Sequence, residues 1–492
     1  MCSLERGATP TAEPEETTRM PVSEKLRPSV SHAALGNAFY DEVVPAEFPE
    51  HILRYRNQDW AARVGLGDLT EAEWIGHLGR FQPLPGSFGK PLALRYHGHQ
   101  FRSYNPELGD GRGFLFAQLH DLRDGRLLDL GTKGSGRTPW SRTADGRLTL
   151  KGGVREILAT EMLEPLGVDT SKSFSLIETG EALERGDEPS PTRSAVLVRL
   201  SHSHIRFGAF QRAAYFGRAD MVEALVEHAR ALYHPGVAAA DVPGFLRAVV
   251  EASARLTARW IAAGFVHGVL NTDNLNVTGE SFDYGPWRFL PAYEPGFTAA
   301  YFDQTGLYAF ARQPEAVFWA LTQLGGALKV VGEVEPLTEA LNGFGPVYIR
   351  ELRAAFLARL GVTSLGEAAD QRLLDTTLAL LREGGEALRW EPLFHDWFGG
   401  FASSARALAG PRSRLYQGEG FDAFRFALFE HEPDRPERLE HPVFARPEPE
   451  EMLIDEVEAI WAAIDAGDDW GPFGAKLERL GAARVAWSLA GC

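Results

Sequence analysis

Apolar and polar positions change their rhythm several times along the chain, and each change predicts a different kind of element. From Ala34 to Leu78 they mix at helical spacing, with Trp60 and Val64, then Trp74 and Leu78, one turn apart, which predicts short helices packing on the domain that follows. From Leu92 the pattern becomes strand-like. The apolar run 114–117 follows a glycine-dense turn at 109–113 and predicts a strand, turn, strand hairpin. A second strand at 127–130 leads to Lys133, and a buried strand is expected at 195–200. Between them, Val154, Ile157, Leu158, Met162 and Leu163 lie on or near one stripe, so 154–163 reads as a helix ended by Pro165 and Gly167. Residues 218–264 look strongly helical, with Leu246, Val249, Val250, Ala254, Leu256, Trp260 and Ile261 at core spacing, and helices continue to about 381. The stretch 394–401 is aromatic, and its His395 and Asp396 read as packing and surface groups. Proline, glutamate and arginine dominate 430–450, which reads as a solvated connector. A final helix over 451–466 follows, with Met452, Leu453, Val457, Ile460 and Trp461 on its apolar face.

Composition narrows the class. The 492 residues, 44% hydrophobic and 24% charged, suit a soluble globular protein with a large core. A formal net charge of -17 argues against nucleic acid as the main partner, because polyanion binding needs a strongly basic surface. The only cysteines are Cys2 and Cys492, so no disulfide framework or cysteine zinc site is expected, and a reducing, cytoplasmic setting is the default. No run of about eighteen apolar residues and no signal-peptide hydrophobic region is present, so neither membrane association nor secretion is expected. Residues 1–30, rich in Pro, Thr and Glu, read as a mobile tail. Cys492 reads as an exposed terminal thiol.

Candidate chemistry concentrates in 264–286, GFVHGVLNTDNLNVTGESFDYGP. A kinase catalytic loop, His-Arg-Asp-x-x-x-x-Asn, is followed by Asp-Phe-Gly, with the first Asp as base and the Asn and second Asp on magnesium. Counted from His267, the Asn falls at Asn274, and Asp283-Tyr284-Gly285 can supply the second metal ligand. The kinase base position is Val269, which cannot accept a proton. Asp273, beside the metal-binding Asn, is the candidate to take over.

Other parts of a nucleotide site lie upstream. Glycines in 109–113 let backbone N–H groups approach phosphate oxygens, and Arg112 can add a charged fork, although such a loop by itself is more often a ligand-free hairpin. Lys133, after a strand and flanked by glycine, suits phosphate. A pair with Glu156 would reproduce the kinase strand-lysine to helix-glutamate ion pair, the alternative being a solvated glutamate. Arg137, Arg142, Asp145, Gly146, Arg147 and Lys151 form a locally basic, polar insertion. Arg199 and Arg206, leading into one cleft, would suit a triphosphate better than a core, though either alone could be a surface residue. His97 and His99 read as a packed or hydrogen-bonded pair, since no third metal ligand is apparent.

Read together, Gly-Asp-Gly-Arg at 109–112, Lys-Gly-Ser-Gly-Arg-Thr-Pro at 133–139, Asp-Gly-Arg at 145–147, Arg-Glu at 155–156, Ile-Arg-Phe-Gly at 205–208, Asn-Thr-Asp-Asn at 271–274 and Asp-Tyr-Gly-Pro at 283–286 closely resemble the selenoprotein O family, over roughly 35–330. These are pseudokinase-fold protein adenylyltransferases, some also described as uridylyltransferases. The resemblance implies a kinase-like, two-lobed α+β fold that holds ATP reversed and transfers AMP to Ser, Thr or Tyr hydroxyls of proteins, releasing pyrophosphate. Carried over by motif, Gly109, Gly111, Arg112, Lys133, Asp145, Gly146, Arg199 and Arg206 would bind nucleotide, and Glu156 would pair with Lys133. Asn274 and Asp283 would hold Mg²⁺ or Mn²⁺, with Asp273 as proton acceptor. The expected organisation is a tail at 1–30, an extension at 31–85, an N-lobe at 86–215, a C-lobe at 216–410 and a divergent region at 411–492, where the likeness fades. A true kinase using Asp273 as base, or a silent nucleotide-binding scaffold, are the rival readings, and UTP is a second candidate donor.

Overall fold

The structure, a computed structural model, describes residues 24–186 and 188–487. Cys2, Cys492 and the first part of the expected tail lie outside the described residues. Its centre is a nine-stranded antiparallel sheet in which Tyr40–Glu42, Leu92–Leu94, Leu115–His120, Leu127–Lys133, Thr192–Ser201, Lys172–Leu183 and Ile52–Arg56 lie side by side in that order. Pro28–Ser29 adds to Leu115–His120, and Leu148–Thr149 adds to Thr192–Ser201. Ordered chain thus reaches into the stretch that the composition assigns to a tail. Tyr40–Glu42 and Ile52–Arg56 are strands where the pattern predicts only helices.

Both faces of the sheet are covered, so its middle strands are buried at nearly every position. In Thr192–Ser201, Val196, Val198 and Leu200 pack with Trp60, Trp74, Leu78, Phe114 and Phe116 on one side, while Ala195 and Leu197 pack with Val154, Ile157 and Leu158 on the other. The first side is closed by Gln58–Arg63 and Glu71–Leu78, the latter started by a capping box between Thr70 and Glu73. The second is closed by Leu150–Leu163, capped by the Thr149 hydroxyl on the Gly152 N–H.

The chain then becomes helical. Phe207–Tyr215, Ala219–Tyr233 and Val242–Ala262 lead to a two-strand ribbon, Phe265–Val266 with Arg288–Phe289, and the segment between those strands carries the short 3₁₀ turn Thr272–Asn274. Gln313–Leu328, Val334–Asn342, Phe344–Leu360, Glu367–Gly384 and Trp390–Trp397 build the floor behind it. The result is α+β, a small sheet-containing lobe above a helical one, as in kinases. No helix among the described residues is long and apolar enough to cross a membrane.

The last eighty residues correct the pattern-based reading. The stretch 430–450 is no solvated connector: Val443 and Phe444 are buried, and Phe444 stacks on Phe398 at 4.7 Å between ring centroids. Charged residues dominate its composition, but single apolar anchors hold it down. Asp396 is buried too, and accepts two hydrogen bonds from Arg412 and one from the Tyr416 hydroxyl, so it is an internal group and not a surface one. His395 is a packing group, bonded to the Arg446 carbonyl. The helix expected to be the final one runs over Ile454–Gly467 and is not the last, since a further helix, Gly471–Trp487, turns back on it. Together they strap across Leu150–Leu163, with Glu458 on Lys151 at 2.7 Å and Arg484 on Glu161 at 2.8 Å and Glu164 at 3.0 Å.

Candidate active site

A cleft of about 440 Å³ opens between the sheet and the loop carried by the two-strand ribbon. Gly109, Gly111, Arg112, Lys133, Arg199, Arg206, Asp273, Asn274 and Asp283 all line it. The glycines make the loop thin: a Cβ on Gly109 would sit 2.4 Å from the Trp140 ring, and one on Gly113 only 1.9 Å from the Thr132 carbonyl oxygen. The loop is therefore pressed against 138–141 and the lysine strand, and nothing but hydrogen fits between. Asp110 at its tip accepts from the Leu94 N–H at 3.1 Å and lies 3.5 Å from Arg206.

Asp145 and Gly146 line a neighbouring opening of about 420 Å³, which shares Arg112 and Ala144 with the cleft. Gly146 has φ 73° and lies against Gly136, where a Cβ would meet the carbonyl oxygen at 2.3 Å. The Asp145 carboxylate is engaged by Arg185 at 2.8 Å. These two residues therefore sit beside, and not among, the groups that line the cleft.

Lys133 ends its strand with its ammonium on the Glu156 carboxylate, which comes from the second turn of Leu150–Leu163. Both are buried, and the Lys133 Nζ lies 3.9 Å from Asp283 Oδ1. Burial pulls the Lys133 pKa below its ordinary value, against the opposing charge of Glu156. Arg199, on the adjacent strand, and Arg206, at the N-cap of Phe207–Tyr215, converge on the same aspartate: Arg199 Nη1 donates to Asp283 Oδ1, and Arg206 Nη1 donates to Asp283 Oδ2 at 2.7 Å. Burial alone would raise the Asp283 pKa, but Arg199, Arg206 and Lys133 hold it well below the usual carboxylate range. Asp283 also has φ 62°, a left-handed backbone that a non-glycine residue adopts only when its surroundings impose it.

Asp273 is held differently. It and Asn274 lie on a short 3₁₀ turn, Thr272–Asn274, pinned from the sheet side. The His99 N–H donates to the Thr272 hydroxyl at 2.7 Å, which donates to Gln211 at 2.8 Å, and Asn271 Oδ1 accepts from the Phe101 N–H at 3.0 Å and the Tyr308 hydroxyl at 2.8 Å. His97 and His99 are the hydrogen-bonded pair expected, through Tyr104 and Gln211. The Asp273 carboxylate has no cation on it. Among the described residues its Oδ1 is buried without a hydrogen-bond partner, as is Asn274 Oδ1, and desolvation lifts the Asp273 pKa to about 6 although the nearby Arg206 opposes it. Val269, at the kinase base position, also lines the cleft. His267 is a structural group, its Nε2 bonded to the Phe282 carbonyl at 2.9 Å and its own N–H to Gln313 at 3.0 Å.

Several wall residues carry no signal in the sequence. Tyr96 and Gln100 enter from the strand-rich segment ahead of the glycine loop, and the Arg206 guanidinium lies 4.8 Å from the Tyr96 ring centre and 4.7 Å from that of Phe282. Trp140 and Arg142 come from the basic insertion, whose charge was the one available hint; Arg142 also has φ 52°.

Comparison with known proteins agrees with this arrangement. The profile of the family described as Protein adenylyltransferase SelO matches residues 24–480. A "Protein nucleotidyltransferase YdiU" of Trichodesmium erythraeum is 43% identical over 478 residues, covering 91% of this chain and 96% of its own. A relative of the same name from Gloeobacter violaceus is 45% identical over 467 residues, covering 91% and 93%. Among solved structures, ROP2 from Toxoplasma gondii, described as a virulence factor with a protein-kinase fold and no enzymatic activity, overlaps 63% of this chain and 89% of its own at 15% identity, with a TM-score of 0.27 too low to carry an argument. On the family match and the relatives' identity across nearly their whole length, the chain belongs to the protein adenylyltransferase SelO family.

Proposed function

We propose that the cleft binds ATP with its terminal phosphates against Lys133, Arg199 and Arg206 and presents the α-phosphorus to a Ser, Thr or Tyr hydroxyl of a protein, which leaves the reaction carrying AMP. The observation that carries this reading is the separation of the two aspartates. Asp283 is ionised and surrounded by three cations, whereas Asp273 has no ion-pair partner among the described residues, has a pKa raised to about 6 and lines the same cleft.

Each role follows from these positions. Arg199, Arg206 and Lys133 gain a polyanion to share with Asp283, so charge that builds on the departing pyrophosphate meets donors already in place. Asp273 takes the hydroxyl proton as the acceptor oxygen bonds to the α-phosphorus and the bond to the bridging oxygen breaks, and a base with pKa about 6 is ionised at neutral pH yet basic enough to accept it. Arg112 and the backbone of the glycine loop cover the phosphates, and Asp145 and Gly146, reached past Arg112, suit the nucleoside end. Asp283 and Asn274 Oδ1 fit a hard divalent cation, Mg²⁺ or Mn²⁺, since both offer oxygen and the amide oxygen has no partner within the protein. Such a cation, when bound, would supply charge neutralisation to the phosphates.

The test is transfer from ATP labelled at either the α or the γ position, in Mg²⁺ or Mn²⁺, read by intact mass and autoradiography, with UTP as a parallel donor. Covalent label from the α position, with pyrophosphate released, is the expected result. Label from the γ position alone would establish a kinase in which Asp273 is the base, and bound ATP with no transfer to any acceptor would leave a nucleotide-binding scaffold.

A further inference from the structure

The two arginines on Asp283 differ on their far sides. The Arg206 Nε is buried with no hydrogen-bond partner among the described residues. The Arg199 Nε donates to His204 Nε2 at 3.3 Å. His204 in turn has its Nδ1 3.4 Å from Asp129 Oδ2, which also accepts the His204 backbone N–H at 2.9 Å, and Asp129 Oδ1 accepts from Gln118 Nε2 at 2.8 Å. Arg199, His204, Asp129 and Gln118 are all buried. The backbone makes room for this chain of contacts: Gly131, the register partner of Arg199 on the neighbouring strand, is so close to the imidazole that a Cβ there would lie 2.2 Å from His204 Nε2.

The chemistry of these contacts fixes the ring. A nitrogen that accepts from a guanidinium N–H carries no proton, so the imidazole proton sits on Nδ1, facing a carboxylate that accepts it. We propose that Asp129 and His204 form a relay that holds the Arg199 guanidinium with its Nη edge towards the triphosphate, making His204 a positioning residue for nucleotide binding. This rests on the reading of Arg199 as a phosphate ligand. The relay places a buried negative charge behind the arginine without letting the carboxylate pair with it directly. The Nη groups therefore stay available to Asp283 and phosphate, and the guanidinium does not reorganise when nucleotide arrives.

The experiment compares variants of the full chain by calorimetric titration of ATP with Mn²⁺, alongside KM and kcat for α-label transfer. His204→Phe keeps the ring but removes both contacts and should weaken ATP binding and raise its KM about tenfold, as expected for a lost hydrogen bond to a charged group, with kcat less affected. His204→Gln, whose amide oxygen accepts from Arg199 while its NH₂ donates to Asp129, should recover to within about threefold of the wild type. Asp129→Asn keeps the shape but removes the carboxylate charge behind the ring, and an amide NH₂ turned towards His204 would oppose its backbone N–H as well as the Nδ1 proton, so it should weaken ATP binding in the same direction as His204→Phe. In an Arg199→Lys background, which has no Nε–H, His204→Phe should add nothing. The relay is overturned if Asp129→Asn binds ATP as the wild type does, if His204→Gln is no better than His204→Phe, or if His204→Phe costs the same with lysine at 199. The expected affinity changes together with γ-label transfer would support the relay while sinking the adenylyl-transfer reading.

Discussion

Lys133 and Lys476 are both buried lysines, and they are satisfied in opposite ways. An ammonium has three N–H donors. Lys476, in the C-terminal strap, spends all of them inside the protein, on Glu450 at 3.1 Å, Glu456 at 2.8 Å and the Glu451 carbonyl. Lys133, in the cleft, has Glu156 in direct contact and Asp283 only at 3.9 Å. The same contrast separates the surroundings: the cleft contains Asp273 Oδ1 and Asn274 Oδ1 without protein partners, in a setting otherwise crowded with charge. A closed ionic cluster holds the fold together, whereas the open one keeps donors and acceptors that the proposed nucleotide and cation would take. Burial or ion pairing alone would not distinguish the two lysines. Counting donors and acceptors does.

Substitutions should separate the open cluster from the closed one. The largest effect is expected at Asp283, the meeting point of the cleft: Asp283→Ala should lower α-label transfer per folded molecule by on the order of a thousandfold, with a loss of stability beside it because Arg199, Arg206 and Lys133 lose their shared carboxylate. Lys476→Met should act on stability alone, costing about 2 kcal/mol in chemical denaturation because buried Glu450 loses its ammonium while keeping Arg446 and Arg479, with activity per folded molecule within about twofold of normal. If Lys476→Met instead inactivated a fully folded enzyme, the division between the two clusters would be wrong. Asp273→Asn should fall next, with a loss of about a hundredfold in kcat and an unchanged affinity for ATP, since a general base contributes less than the group that organises the phosphates.

The pH profile sharpens the same contrast within the cleft. The pKa of Asp273 is raised to about 6, so the basic form is lost as pH falls through that value, and kcat/KM in the free enzyme should drop about tenfold per unit below it and level off above it. Asp283, held well below the usual range, should contribute no inflection in that window. The smallest effect is expected at the edge of the strap. Glu458→Ala removes the ion pair to Lys151 on the helix that carries Glu156, but the glutamate side chain is 44% exposed, so the cost should be about 0.5 kcal/mol or less in denaturation.

The residues that line the cleft were legible in the sequence because each kind of proposed role leaves a local mark. Lys133 follows a strand in a glycine setting, Asn274 is in register with His267, and Val269 marks a displaced base. The structure brings these together with Arg112, Arg199, Arg206, Asp273 and Asp283 on one cleft. Asp145 and Gly146 arrive next door, because the Gly136 to Gly146 contact folds their loop outward. The walls, Tyr96, Gln100 and Trp140, left no mark, since an aromatic or amide residue near a turn has many uses. The strap was half legible: Ile454–Gly467 shows helical periodicity, but charge-rich composition hid the anchoring of Val443 and Phe444.

What the sequence by itself determined was the inventory: which cations, carboxylates and glycines exist, and which elements they sit on, since propensity and periodicity act over a few residues. Only the tertiary structure decided their electrostatic states. Asp273 and Asp283 are the same residue type on the same loop. One is lifted towards neutrality by desolvation and the other is held ionised by Arg199, Arg206 and Lys133, which come from distant strands and a helix start. Desolvation and charge proximity depend on distances in space, and sequence separation does not set them.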